Sequence, residues 1–231
     1  MKSEPKEEDA SLKKAEKVID SSDKLTVNMP YVIAYTTVYG IGTFQCAWCI
    51  SGNSQTTKVF EAKLGWDKDE TILYNTIISS SAIIGLAIGC IFGGGLLTRG
   101  RRKMAFYAHL IAIIASGICM FDTVLFLTLG RFVLGFAAGI CNLIYSKSIT
   151  ENFPEKLAAT LAMMCNASIC IGIFACFVLG GILPDPDDIE ANKDDQMWRI
   201  IYGMPVAIGV FGILCLPPCW REFARQSGRA R

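Results

Sequence analysis

Hydrophobic residues along this chain fall into six long runs that are separated by polar connectors. A helix needs about 20 apolar residues to cross a bilayer core of about 30 Å. Because lipid offers no hydrogen bonds to the backbone, helices are the default way to cross it. The pattern therefore predicts an all-α integral membrane protein with six transmembrane helices. The runs are Tyr31–Ile50, Thr71–Thr98, Met104–Phe121, Thr123–Ser146, Leu157–Pro184 and Ile200–Trp220.

The composition fits this interpretation and divides the chain into three parts. Of 231 residues, 52% are hydrophobic, which is too apolar for a soluble domain with a wetted surface. We expect a charged arm at 1–28, a six-helix domain at 29–220 and a basic tail at 221–231. The arm has no apolar core, so no signal peptide is expected. Residues 11–25 have apolar positions at helical spacing, which is typical of a helix that lies on the membrane surface. A solvated arm fits this segment equally well.

The distribution of charge predicts the orientation. Lys and Arg collect in the connector 99–103 and in the tail, whereas acidic residues collect at 67–70, Asp122 and 185–195. Because cytoplasmic connectors carry the excess of Lys and Arg, both termini are expected on one cytoplasmic or matrix-like side. The plasma membrane and the mitochondrial inner membrane both remain open.

Small residues recur at four-residue spacing in three of the predicted helices. Such stripes let helix backbones approach closely in lipid, so we expect them to face other helices. They are Gly85, Gly89 and Gly93; Gly135 and Gly139; and Ser168, Gly172, Cys176 and Gly180.

Few side chains offer chemistry of their own. Cys46 and Cys49 form a CxxC, but within a membrane helix, without a second pair or a neighbouring histidine, packing is the better interpretation. His109 is the only histidine, and a hydrogen-bonded packing role is favoured over a functional one. We expect no catalytic residue, metal or cofactor. The net charge of +1 argues against nucleic-acid binding.

Five blocks, in order, resemble the major facilitator superfamily and, within it, the sugar porters that include the facilitative glucose transporters. The resemblance covers residues 38–216 and corresponds to the N-terminal six-helix half, built as two three-helix inverted repeats. The blocks are Gly42–Gln45; Gly93 with Gly100–Lys103; Gly130–Gly135 with Gly139, Glu151 and Pro154; Gly172-Ile173; and Trp198-Arg199 with Gly203 and Pro205.

The resemblance implies roles for seven residues. Gln45 and Asn166 would contact a solute. Arg101, Arg102 and Glu151 would belong to an inner gate, and Arg131 and Arg199 to a motif on the outer side.

Several positions depart from the family pattern. Leu97 and Ala158 stand where the family has charged or polar gate partners. Cys49 stands where the family carries an acidic or amide residue in helix 1, so the usual proton-coupling carboxylate is absent. Asn166 keeps the amide of a sugar-contacting glutamine but shortens it.

Two functions fit these observations. Family members hold their solute between two six-helix halves, whereas this sequence covers one. The favoured hypothesis is a degenerate half retained as a non-transporting structural subunit of a larger assembly, for example in an energy-transducing membrane. The alternative is a working half that pairs with itself or with a partner half to move a hexose-like solute. Under both, the bilayer and a second membrane protein are the expected partners.

Overall fold

The computed structural model describes residues 29–97, 100–153, 155–183 and 196–227; the side chains at 29–31, 34, 35, 39, 102, 152, 155, 156 and 217–227 are not described. The regular elements of these ranges are six α-helices. They are α1 (Met29–Leu64), α2 (Lys68–Leu96), α3 (Arg101–Cys119), α4 (Val124–Asn152), α5 (Glu155–Gly180) and α6 (Trp198–Ser227). The arm at 1–28 and the acidic stretch 185–195 lie outside the described residues.

Four of these helices are long and apolar enough to cross a membrane. The spans are Lys68–Leu96, Val124–Glu151, Leu157–Gly180 and Trp198–Leu216, and α3 has a shorter apolar stretch, Lys103–Cys119. Length and composition within the described residues therefore support an integral multi-pass protein, with fewer clear spans than the six predicted.

The first helix is longer than its apolar run. The run ends at Ile50, but α1 continues to Leu64. Polar side chains in this extension bond back to the carbonyl one turn earlier, as Thr57 Oγ1 does to Asn53 at 2.9 Å. Val59 and Phe60 are buried in it. The extension begins with polar residues that are nevertheless buried, among them Ser51 and Thr56, which is why hydrophobicity alone places the end of the helix too early.

The last helix is also longer than expected. It continues to Ser227, past residue 221, where the sequence predicts the basic tail to begin. The backbone of the first part of that tail is therefore helical.

The turn between α2 and α3 depends on a glycine. Gly100 precedes α3 with φ of 109°, a conformation that L-residues with a side chain rarely adopt. Its N–H donates to the carbonyl of Leu97 at 3.1 Å. The glycine lets the chain reverse sharply, and the basic residues that follow it form the first turn of α3.

Glycines make a close helix contact between α2 and α4. A Cβ at Gly89 would come closer than 3.0 Å to the carbonyl oxygen of Phe136, and one at Gly139 would do the same to Leu86. The predicted stripe on α2 thus faces a helix, as expected for packing in lipid. The α5 stripe likewise faces α1, where Gly172 lies against Ala47 and Phe44.

The core lies where α1 and α4 meet the other helices. After the predicted orientation, the end of the bundle with Arg101 and Glu151 is called inner and the end with Asp122 is called outer. The inner part of the core is apolar and includes Ile144, Tyr145 and Leu161. Its outer part is aromatic: the Phe60 and Trp198 rings are 5.0 Å apart. In this outer part Trp48 links α1 to α6, because its Nε1 donates to the Ile201 carbonyl at 2.7 Å.

Candidate functional site

Gln45, an expected solute contact, lies inside the bundle. It is 1% exposed, and its Oε1 lies 3.0 Å from Nδ1 of His109 on α3. Its Nε2 has no hydrogen-bond partner among the described residues. The other edge of the His109 ring packs on Gly212 of α6, where an added Cβ would lie 2.8 Å from Nε2. In this arrangement Gln45 joins α1 to α3.

Asn166, the other expected solute contact, lies on a surface. It is exposed near the middle of α5, one turn before Cys170, which is also exposed. Phe174 continues the same stripe and is 70% exposed. The structure therefore does not bring Gln45 and Asn166 together: one amide is in the core and the other is on an uncovered helix face.

A groove of about 630 Å³ runs beside this stripe, with α1 as its floor and α5 and α6 as its walls. The two wall helices make few contacts with each other, whereas both pack on α1. Two hydroxyl groups that line the groove donate hydrogen bonds within their own helices. Thr36 donates to the Val32 carbonyl and Ser168 to the Met164 carbonyl. The groove is lined by Thr36, Thr37, Gly40, Ile41, Phe44, Met164, Ala167, Ser168, Ile171, Ala207, Ile208 and Phe211.

Arg101 and Glu151 form an ion pair across the inner ends of α3 and α4. Their side chains are 25% and 47% exposed, so the pair is in contact with solvent. Leu97 and Ala158 belong to the apolar cluster of this inner end. The side chain of Arg102 lies outside the described residues. The inner end therefore has one described charge pair beside apolar positions where the family pattern has more polar groups.

Arg199 belongs to a charge cluster at the outer end. Asp122, in the connector between α3 and α4, lies 3.0 Å from Lys63 Nζ and 3.4 Å from Arg199 Nη2. Both cations also lie over the Trp198 ring, at 5.2 and 5.5 Å from its centroid. This cluster connects α1, the α3–α4 connector and the start of α6.

Arg131 is not part of that cluster. It is 1% exposed inside α4, and its Nη1 lies 3.6 Å from the position that a Cβ of Gly52 on α1 would occupy. Its Nε has no hydrogen-bond partner among the described residues. The two arginines that the sequence groups as one outer motif therefore occupy different environments.

Sequence reasoning missed a buried polar network in the outer half. Asn53 Nδ2 of α1 donates to Asn75 Oδ1 of α2 at 2.5 Å and to Ser79 Oγ at 2.9 Å. Tyr202 of α6 donates to Asn53 Oδ1 at 3.4 Å and lies 3.3 Å from Thr56 Oγ1. The one signal in the sequence was Asn53, which follows the apolar run that ends at Ile50. It lies in the part of α1 beyond the predicted end of the helix.

Cys46 and Cys49 are buried and carry free thiols. They lie in the middle of α1, and the described residues contain no group of three or more His, Cys, Asp or Glu that is suited to a metal ion.

The fold is similar to that of known transporters. A major facilitator superfamily proton:xylose symporter, XylE, solved with 6-bromo-6-deoxy-D-glucose, aligns with a TM-score of 0.71 at 20% identity, over 82% of this chain and 45% of XylE. The inward open conformation of XylE from E. coli aligns with a TM-score of 0.67 at 19% identity, over 80% and 47%. This likeness defines the class as a major facilitator superfamily fold.

The family described as Sugar (and other) transporter matches residues 37–223. This chain belongs to that sugar transporter family, as the motifs predict. It is 25% identical to Hexose transporter 1 of Toxoplasma gondii over 76% of this chain, and 30% identical to Hexose transporter 1 of Plasmodium falciparum over 67%. The major myo-inositol transporter IolT of Bacillus subtilis is 27% identical over 62%. The chain spans about a third of the length of each of these relatives.

Proposed function

We propose that this chain is one six-helix half of a sugar transporter, which holds a hexose-like solute between itself and a second six-helix unit. The matched relatives are named as transporters of hexoses and myo-inositol. Nothing in these relatives supports the favoured interpretation of the sequence, a non-transporting structural subunit. The working half is the better conclusion, and an enzyme has no support.

The uncovered face of α5 carries this proposal. Only 22% of an apolar 18-residue stretch of its membrane span is buried, and Asn166 is exposed near the middle of the helix. An amide that faces hydrocarbon lacks hydrogen-bond partners, which costs free energy, and polar groups inside membranes generally face protein or a water-filled path. A second six-helix unit opposite α5 would give this amide either protein to contact or a water-filled path to face.

The helix contacts support two three-helix repeats within this half. Under such a repeat, α1 corresponds to α4, α2 to α5 and α3 to α6. The pair α1–α5 then corresponds to α4–α2, and the pair α3–α4 corresponds to α6–α1. All four pairs are in contact. The pairs α1–α4 and α3–α6, which map onto themselves, are also in contact. This pattern is expected of repeats related by a pseudo-twofold axis.

The charge clusters at the two ends fit different roles in the proposed mechanism. The Arg101–Glu151 pair is partly solvated, so it can break at low cost and serve as an inner gate. The cluster of Lys63, Asp122 and Arg199 connects two helices and a connector of the same half. It would keep the outer ends of this half together while the half moves against its partner.

Accessibility of Cys170 tests the proposal. Because Cys170 shares the stripe of Asn166, a water-soluble thiosulfonate should label it in vesicles, and a saturating transported sugar should slow that labelling. Ile114→Cys is the matched control, because Ile114 is 57% exposed on α3 and should face lipid. Mass spectrometry assigns the labelled site. Equal, low labelling of both positions would place the α5 stripe in lipid and contradict the proposal.

A further inference from the structure

We propose that Arg131 binds a small monovalent inorganic anion of chloride size inside the bundle, where α1, α4 and α6 meet. Its side chain is 1% exposed. Within the described part of the chain it takes part in none of the ion pairs, and its Nε–H has no acceptor. A buried donor of full positive charge with an unused N–H is therefore available to a ligand.

The depth of Arg131 makes a counter-charge necessary. It is the eighth residue of α4, which at 1.5 Å per residue places it about 10 Å from the outer end of the helix. Removing a charge from water costs considerable free energy even after the protein relaxes. Buried charges are accordingly paired or coordinated in folded proteins.

No neighbouring side chain in the described part of the chain provides that counter-charge. Ionisable groups near Arg131 include the thiols of Cys49, Cys119 and Cys176 and the hydroxyl of Tyr202, none of which is a carboxylate. The acidic residue of the outer cluster, Asp122, already contacts two cations. A bound anion would complete the charge balance.

The local geometry favours a small ion. Gly52 contributes no side chain next to Nη1 of Arg131; a Cβ there would lie 3.6 Å away. Ile201 Cγ2 of α6 is also 3.6 Å from that position. An ion that binds here would lie beside the guanidinium of Arg131 and accept from its N–H groups, while large or organic anions would be excluded by the buried position.

Thermal unfolding of the purified chain in detergent tests the proposal. We compare sodium chloride with sodium gluconate at equal ionic strength, and a thiol-reactive dye reports unfolding through the buried cysteines. A ligand that binds only the folded state stabilises it in proportion to the logarithm of its concentration. Above the Kd, each tenfold increase in chloride should raise the Tm by about 3 to 5 °C on the scaling of soluble domains of this size.

Three variants connect the effect to Arg131. Cys49→Asp places a carboxylate in the neighbouring turn of α1, so it should abolish the chloride dependence while the protein stays folded. Arg131→Gln should abolish it too, whereas Arg101→Gln, which removes a partly exposed cation, should keep it. Equal Tm values of the unmodified chain in chloride and gluconate would overturn the proposal. An undiminished chloride effect in Cys49→Asp would also overturn it.

Discussion

Gly85 of α2 lies directly against the backbone of Phe132 of α4, so an added Cβ would come closer than 3.0 Å to the Phe132 carbonyl oxygen. The relationship is reciprocal, since a Cβ at Gly135 of α4 would meet the Ala82 carbonyl of α2 equally closely. Helices in lipid gain little from hydrophobic burial and associate through close packing. The glycines of both helices are therefore a main determinant of how α2 and α4 are held together.

Replacing one of these glycines should disrupt the half. Gly89→Leu places a branched side chain against the Phe136 backbone, and overpacking of this kind costs about 1–3 kcal/mol or more. Gly94→Leu makes the same change on the same helix at a position with nothing within 4 Å. We expect the yield of folded protein in size-exclusion chromatography to fall for the first variant only. Equal yields would show that α2 and α4 can separate without cost.

Removing the centre of the buried polar network should lower stability. Asn53→Ala removes the hydrogen bonds of Asn53 to Asn75 and Tyr202, and a lost intramolecular hydrogen bond costs about 0.5–1.5 kcal/mol. Asn166→Ala removes an amide of the same size from an exposed position and should leave the Tm nearly unchanged. Thermal unfolding in detergent measures both. A network that is only incidental would give two equal, small shifts.

The fold was largely predictable, because apolar runs and small-residue spacing are local properties of a sequence. Gly85, Gly89 and Gly93 indicated a packed helix face before its partner was known. The end of α1 was not predictable from hydrophobicity, because residues after Ile50 are polar and yet buried. Their burial depends on Asn75 and Tyr202, which come from other helices.

The candidate site was less predictable than the fold. The contact of Arg101 with Glu151 was expected from the resemblance, and the two residues do meet; their role as a gate stays a prediction. The different surroundings of Arg131 and Arg199 were not foreseen, because their environments depend on which neighbours the tertiary structure supplies. The same holds for Gln45, whose partner His109 is 64 positions away in sequence.

Charge reversal tests the proposed inner gate. Arg101→Glu or Glu151→Arg alone places like charges together, whereas the double exchange restores an opposite pair. The pair is partly exposed, so we expect stability to change by less than about 1 kcal/mol. Labelling of Cys170 should change in each single variant, because the balance between conformations shifts, and should return in the double variant. Identical labelling rates in the two single variants and the double variant would show that this ion pair does not control the conformational change.

The predicted orientation is tested by cysteines added in the predicted arm, acidic connector and tail. We expect Ser3→Cys and Arg231→Cys to react with an impermeant maleimide from one side, and Glu190→Cys from the other, because Lys and Arg mark the cytoplasmic side. Permeabilised cells provide the control for reactivity. Labelling of positions 190 and 231 from the same side would reverse the assignment of at least one helix.

The length of the side chain at position 166 should determine how the solute is held. If Asn166 contacts a sugar hydroxyl through the gap between two halves, Asn166→Leu removes a hydrogen bond and leaves that hydroxyl unpaired. A site that recognises a hydroxyl discriminates strongly for this reason. Uptake of labelled glucose into proteoliposomes should then be saturable for the unmodified chain. For Asn166→Leu it should be at least about tenfold lower, which corresponds to about 1.4 kcal/mol.

Asn166→Gln keeps the amide at the length found in the family, so it should retain uptake with an altered preference between hexoses and the smaller xylose. Met163→Leu, one turn earlier on the same exposed stripe, should transport normally. Equal uptake by the Leu and Gln variants would remove Asn166 from the solute path, and the proposed site would then have to be sought on α1 or α4.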